Sequence, residues 1–359
     1  MSTSTQLATQ STVPSVNCKI PLAKYEYPAE TKEQLKYADL VTLDLGEFDL
    51  PGGKEKLAQQ LKDIAHNIGF FYVTNIGLSQ GQIDQQFAIA KAFFALPEEE
   101  RLKYRAPLEE GSYNGYRPLG AVDIKPGVKD ALEFYSIFKC IPETERTQPE
   151  IIRQYWDDIE TFSRHVHENI SFKLLRLLAI MLELPEEHFL QYHHYEDACD
   201  SSIRYMYYHA RSKAEREACQ DMHFNGHTDN GSMTFMFQQP ISALQVQPSG
   251  EESDWEYLYV PTGTIAVNLA NAFNFLTNGY MKSGFHRVIS PPEDQAHNDR
   301  LALLYFLRPT EKLILKTLDT PFLQREGYGK TTTENDLDIS WHENWRDNVR
   351  SRGMRNYNK

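Results

Sequence analysis

In the run Asn225-Gly-His-Thr-Asp-Asn-Gly-Ser232, His227 and Asp229 stand two residues apart. On an extended backbone, side chains two apart point to the same face, so this imidazole and this carboxylate can grip one ion. A second imidazole, His286, follows in Lys-Ser-Gly-Phe-His-Arg-Val-Ile-Ser (282–290), a β-rich segment. Two imidazoles and one carboxylate leave coordination positions open, the arrangement that suits Fe(II) working with O2 and a second co-substrate. A structural zinc site would close its fourth position instead. Arg300 comes fourteen residues after His286, on the next β-rich run. A guanidinium inside a barrel mouth is costly unless an anion meets it, and a carboxylate is its natural bidentate partner. Tyr208, on an earlier run, is placed to add a hydroxyl to the same anion.

A chemistry of this kind needs strands that lie side by side. After Tyr195 the chain breaks into short β-rich runs separated by Gly, Pro, Asn and Asp: SIRYMYY, SMTFMFQ, ALQVQ, WEYLYV, TIAVNLA, FHRVIS, RLALLYFLR and KLILKTL. That pattern predicts a double-sheet jelly roll. Upstream, strands are expected in ADLVTLDL and GFFYVTNIG. Helices are expected over 54–67, closed by Gly69, and over 82–95, with a short one starting near Pro97. Residues 107–127 read as an irregular loop, and 131–138 as a strand. Ile152, Tyr155, Ile159, Phe162, Val166, Ile170, Leu174, Leu178 and Met181 recur every three or four residues, the mark of one long helix over 149–184 that backs a sheet. A final helix is expected at HENWRDNVRSR. The predicted fold class is thus α+β with a mainly β core, a double-stranded β-helix (jelly roll) with flanking helices. The expected units are a disordered polar arm (1–37), an α/β region packing on the core (38–195), the jelly-roll domain (196–312) and a C-terminal extension (313–359).

The chain of 359 residues carries a net charge of −13, which disfavours nucleic acid and anionic membrane as partners. No stretch approaches the roughly 20 apolar residues of a membrane helix. The start lacks a signal-peptide pattern. The four cysteines match neither a zinc nor a disulfide spacing, so free thiols in a reducing compartment, the cytoplasm, are expected. The remaining histidines read as structural: His223 as a surface residue, His165 and His167 as solvated, and His193, His194, Glu196, Asp197 and Asp200 as a solvated polar loop.

The sequence resembles the Fe(II)/2-oxoglutarate-dependent oxygenases of the isopenicillin N synthase-like branch, over about Ala38 to Pro309. GFFYVTNIG, AKAFFALPEEERLKY, GYRPLG, HTDNGSMTFMFQ, ALQVQ, TNGYMKSGFHRVISPP and YFLRP carry the likeness. It implies that His227, Asp229 and His286 bind Fe(II), and that Arg300, assisted by Tyr208, binds the distal carboxylate of 2-oxoglutarate. O2 would then drive decarboxylation to succinate and CO2, with hydroxylation, desaturation or cyclisation of a small-molecule substrate. Ascorbate is a candidate reductant, and a monomer or weak homodimer is expected. By the same resemblance, Tyr116, Phe134, Arg204 and Phe285 line the substrate pocket. The C-terminal YFLRPTEKLIL resembles fungal members, which often serve secondary metabolism. Three positions depart from the family pattern. Ala302 replaces the usual Ser of Arg-x-Ser, Met206 stands where many relatives carry Asn, and Asn268-Leu-Ala-Asn271 replaces a motif ending in Asp. Losing a hydrogen bond to a charged acceptor costs on the order of 1.5–3 kcal/mol, so Ala302 predicts weaker oxoglutarate binding or a substitute donor. It also motivates the alternative, an isopenicillin N synthase-type Fe(II) oxidase that does not use 2-oxoglutarate.

Overall fold

A computed structural model describes residues 19–248 and 254–329. Its strands are β1 (Thr42–Asp44), β2 (Phe70–Thr74), β3 (Gly115–Arg117), β4 (Asp123–Lys125), β5 (Val128–Lys129), β6 (Leu132–Phe138) and β7 (Ser202–Tyr208). They continue with β8 (Met222–His227), β9 (Met233–Phe237), β10 (Leu244–Val246), β11 (Glu256–Tyr257), β12 (Ile265–Leu269), β13 (His286–Ile289) and β14 (Arg300–Leu307). A large sheet runs β1-β2-β12-β9-β14-β7-β6-β3 and a small one β11-β10-β13-β8; β4 and β5 form a separate hairpin. The two sheets face each other as the jelly roll predicted from the strand pattern.

Alternation along the strands sorts the side chains into two cores. On the large sheet the even-numbered residues point inward: Phe70, Phe134, Met206, Tyr208, Met236 and Ala302 meet Leu244, Val246 and Val288 of the small sheet. The odd-numbered residues, among them Phe71, Tyr135, Tyr205, Phe235 and Tyr305, pack outward against the helices. These helices are α1 (Gly53–Asn67), α2 (Gln80–Phe94), α3 (Glu98–Leu102), α4 (Glu150–Gln154), α5 (Trp156–Arg164) and α6 (Phe172–Met181). Helix α1 ends as expected. Gly69 takes φ +70° and its N–H reaches the Ile64 carbonyl at 2.9 Å. A Cβ there would sit 2.2 Å from the Lys282 carbonyl oxygen, so only glycine allows this approach.

The expected long helix is present but interrupted. Helix α4 ends at Tyr155, and His165–Ser171 forms a π-helical turn between α5 and α6. All nine residues of the predicted apolar face are buried. The π turn has a physical reason. Ile159, Ser163, His167, Ser171, Leu175 and Ala179 are all buried at four-residue intervals, and His167 reaches Tyr305 of the sheet. A regular helix would drift about 40° at each such step and carry the later residues to the opposite side. One wider turn resets the register.

Several local expectations need correction. The stretch 107–127 is not all loop, because Gly115–Arg117 pairs with β6 as an edge strand. KLILKTL lies beyond β14 and is not one of the strands, although Leu313 and Leu315 are buried. Helices Lys213–Cys219, Asn271–Leu276 and Pro321–Arg325, and the strand β8, went unrecognised. Residues 19–37, expected to be disordered, lie extended on the body. Tyr25 stacks on Phe87 at 4.8 Å, and Thr31 and Lys32 bond the Asp294 carboxylate. The aromatic anchors in this polar segment explain its order. Residues 1–18 and the helix expected at HENWRDNVRSR lie outside the described residues. The N-terminal region supplies β1, β2, β3 and β6 to the large sheet, so the division at 195/196 is a boundary in sequence, not in the sheet.

Candidate active site

His227 ends β8 and His286 opens β13, and the two are paired directly across the small sheet. Asp229 follows in the loop leading to β9. The ligand atoms of all three lie within 4.8 Å of one another. Asp229 Oδ1 is 3.6 Å from His227 Nε2 and 3.9 Å from His286 Nε2. Each remaining polar atom of the three side chains is already held. His227 Nδ1 lies 2.9 Å from the Asn225 carbonyl and His286 Nδ1 lies 3.0 Å from the Gly284 carbonyl, which fixes both rings with Nε2 pointing at Asp229. Asp229 Oδ2 accepts from Thr234 Oγ1 at 2.7 Å and from Asn268 Nδ2 at 3.1 Å, leaving Oδ1 for an ion.

The electrostatics match a cation site. Burial pushes His286 down to about 4, and the neighbouring His227 adds to this, so its imidazole is neutral at physiological pH. Burial would raise the Asp229 carboxyl, but the two imidazoles and the Thr234 hydroxyl hold it well below the usual carboxylate range. The Asp229 carboxylate and the two imidazole Nε2 atoms, converging on one point, form a donor set that fits a divalent metal.

This cluster opens on a cavity of about 260 Å³ between the sheets. Arg300 and Tyr208 face each other across β14 and β7, with the Arg300 guanidinium carbon 4.9 Å from the Tyr208 ring centroid. Arg300 is buried and its Nε has no hydrogen-bond partner among the described residues. Ala302, two residues further along β14, lines the same wall and offers no donor. Asn271, in the position where a family Asp is common, still supports the site. Its N–H bonds the Asp229 carbonyl at 2.9 Å and its side chain bonds Asn230 at 3.2 Å.

Of the four residues expected to line the pocket, the cavity includes Phe134 and Arg204. Tyr116 and Phe285 do not line it, for one shared reason. Each sits one residue from an inward-facing neighbour and so points the other way. Arg117 faces the cavity while Tyr116 turns outward, its hydroxyl 2.6 Å from Glu133. His286 faces inward while Phe285 packs against Trp255 and over Gly226. Sequence reasoning also missed Tyr113, Arg117 and Arg308 on the cavity wall. Arg308 was open to inference, since it lies an even number of residues from Arg300 on the same strand line.

Three histidines read as exposed are buried. His223 is inside and its Nδ1 has no partner among the described residues. His167 bonds the Tyr305 hydroxyl (2.7 Å) and the His193 carbonyl (2.6 Å). His193 in turn joins the Phe189 carbonyl and Ser232 Oγ, both at 2.7 Å.

A jelly roll with two imidazoles and a carboxylate at its mouth defines a non-haem metal oxygenase scaffold. Comparison with known proteins agrees. Residues 199–309 match the 2OG-Fe(II) oxygenase superfamily model, and residues 40–158 match the model described as non-haem dioxygenase in morphine synthesis N-terminal. The chain belongs to the 2OG-Fe(II) oxygenase superfamily and is a 2-oxoglutarate-dependent dioxygenase, which works with Fe(II), 2-oxoglutarate and O2. It is 25% identical to the 2-oxoglutarate-Fe(II) type oxidoreductase ppzD of Metarhizium majus, over 81% of this chain and 90% of that one. It is likewise 25% identical to the proline hydroxylase buaE of Petromyces alliaceus, over 80% and 90%. A Neurospora crassa protein solved in complex with alpha-KG and thymine shares the fold, with a TM-score of 0.73, 19% identity, and 87% and 96% of the two chains covered.

Proposed function

We propose that His227, Asp229 and His286 hold the ferrous ion and that Arg300, with Tyr208 beside it, receives the distal carboxylate of 2-oxoglutarate, in the oxidation of a small organic molecule. The observation that carries this reading is the set of three ligand atoms within 4.8 Å whose side chains have every other polar atom engaged. When bound, the ion and co-substrate supply O2-dependent oxidation, with 2-oxoglutarate lost as succinate and CO2. The chain's own residues prepare that chemistry. The Asn225 and Gly284 carbonyls keep both imidazoles in the tautomer that offers Nε2. Thr234 and Asn268 orient the Asp229 carboxylate. Arg300, with its free Nε, supports a diacid co-substrate over the oxidase alternative, which would leave this buried charge unmatched. Phe70, Met236, Leu244 and Val288 give the cavity apolar walls that keep bulk water from the reacting centre.

The reaction outcome belongs to hydroxylation, desaturation or cyclisation, and the substrate to secondary metabolism, in keeping with the fungal relatives. Ascorbate would serve as reductant. No described helix is long and apolar enough to cross a membrane. Cys140, Cys199 and Cys219 are unpaired, which supports a cytoplasmic setting. A monomer or weak homodimer is part of the same reading. The test is 2-oxoglutarate turnover, read as succinate. Wild-type protein with Fe(II) releases it and His227→Ala does not. Equal rates in the two proteins would remove the proposed iron site.

A further inference from the structure

The cavity holds four arginines, an unusual load for a space of about 260 Å³. Two of them are accounted for by the protein. Arg117 is paired with Asp130 and bonds the Leu132 carbonyl. Arg308 donates to the Asn230 carbonyl at 3.0 Å and feels the charges of Asp200 and Asp229. Arg300 is the proposed anchor of the co-substrate. Arg204 remains.

Arg204 stands on β7 opposite Leu304, four residues along the strand from the Tyr208–Arg300 pair. At ~3.3 Å per residue its backbone lies about 13 Å from that pair, so the two guanidiniums mark separate places in the cavity. Its Nε donates to Ser136 Oγ at 2.7 Å, and no carboxylate lies within ion-pair distance among the described residues. Arg204 is 9% exposed, and its guanidinium is flanked by the rings of Phe134 (4.4 Å), Phe306 (4.3 Å) and Tyr113 (5.3 Å). Among the described residues, neither terminal nitrogen of Arg204 has a hydrogen-bond acceptor. Burial, and then the like charge of Arg308, push it down to about 10, so it stays cationic at neutral pH. A charge buried this way is retained at a cost unless an anion completes it.

We propose that Arg204 is a receptor for a carboxylate on the primary substrate, which makes that substrate a small organic acid with an apolar or aromatic body. The inference rests on the reading of Arg300 as the oxoglutarate anchor. The aromatic rings around Arg204 supply the apolar contact, and the planar guanidinium supplies a bidentate seat for the acid group. The same chemistry could serve the other end of 2-oxoglutarate, so the test separates the two acids.

Full-length protein loaded anaerobically with Fe(II) and saturating 2-oxoglutarate is titrated calorimetrically with benzoate, phenylacetate and hexanoate, and with the neutral amide of each. In at least one pair the acid binds about tenfold or more tightly than its amide, as expected for a hydrogen bond to a charged group. Arg204→Gln removes that advantage while 2-oxoglutarate affinity, measured in the same protein, stays within about twofold, which also reports that the variant is folded. Absence of any acid preference in all three pairs overturns the proposal. So does an Arg204→Gln variant that weakens 2-oxoglutarate as much as it weakens the acid, which would assign Arg204 to the co-substrate. Failure of wild-type protein to bind 2-oxoglutarate at all would instead sink the parent reading, and this inference with it.

Discussion

At the scale of single residues, the proposed metal cluster depends on what stands behind it. Asp229 presents Oδ1 because Oδ2 is tied to Thr234 and Asn268. Thr234→Ala cuts one of these ties without touching a ligand. Loss of such an outer partner lowers metal affinity by about 10–100-fold. Fe(II) titration of the variant should show that loss, and unchanged affinity would mean that Asn268 alone orients the carboxylate. His227, Asp229, His286 and Arg300 were legible in the sequence because their types and spacing converge on one chemistry. Tyr116 and Phe285 were not, because a strand's facing residue is known only when its phase is known. One residue of uncertainty moves a side chain from the cavity to the outer wall. His223 and His193 were misread as solvated, since nothing local in the sequence announces a partner such as Ser232 Oγ, 39 residues away from His193.

At the scale of elements, the long helix and the large sheet are joined by a buried polar chain. His167 reaches Tyr305 on β14 and the His193 carbonyl, and His193 reaches Ser232 at the start of the β9 strand. Both rings sit with one nitrogen on a carbonyl and the other on a hydroxyl, an arrangement made for neutral imidazole. Burial holds His193 down to about 4 and His167 well below the ordinary histidine range. The unfolded chain therefore takes up more protons than the folded one once pH falls below about 6.5. Stability is complete above that point and declines toward pH 4. For His193 alone the shift corresponds to about 3 kcal/mol. Denaturant midpoints measured from pH 7 down to about pH 4.5 should fall steadily, and a flat profile would contradict a neutral buried pair. The helix itself was readable from its apolar repeat. Its π turn was not, because the four-residue spacing of buried positions includes the polar His167 and Ser171, which only the structure shows to be buried. Strand β8 escaped for a related reason. Met222–His227 is partly exposed and does not alternate, so it carries no strand signature although it bears His227, one of the proposed metal ligands.

At the scale of the whole molecule, an acidic chain of net charge −13 encloses a cavity lined by four arginines. The exterior repels anionic polymers, and the interior offers small acids a seat that the surface does not. The jelly-roll class followed from the count and spacing of β-rich runs. The contribution of the N-terminal region to the large sheet could not be read from sequence, because which strand lies beside which is set by long-range pairing such as that of β6 with β7. In the proposed function, one cavity brings a ferrous ion and 2-oxoglutarate together on these residues. This is tested most directly by adding 2-oxoglutarate anaerobically to the Fe(II)-loaded protein and following visible absorption. A charge-transfer band that saturates with a single Fe(II) per chain is expected. In Arg300→Gln, about tenfold or more 2-oxoglutarate should be needed to reach the same band. Iron that binds without any such band, or a band unaffected by Arg300→Gln, would contradict it.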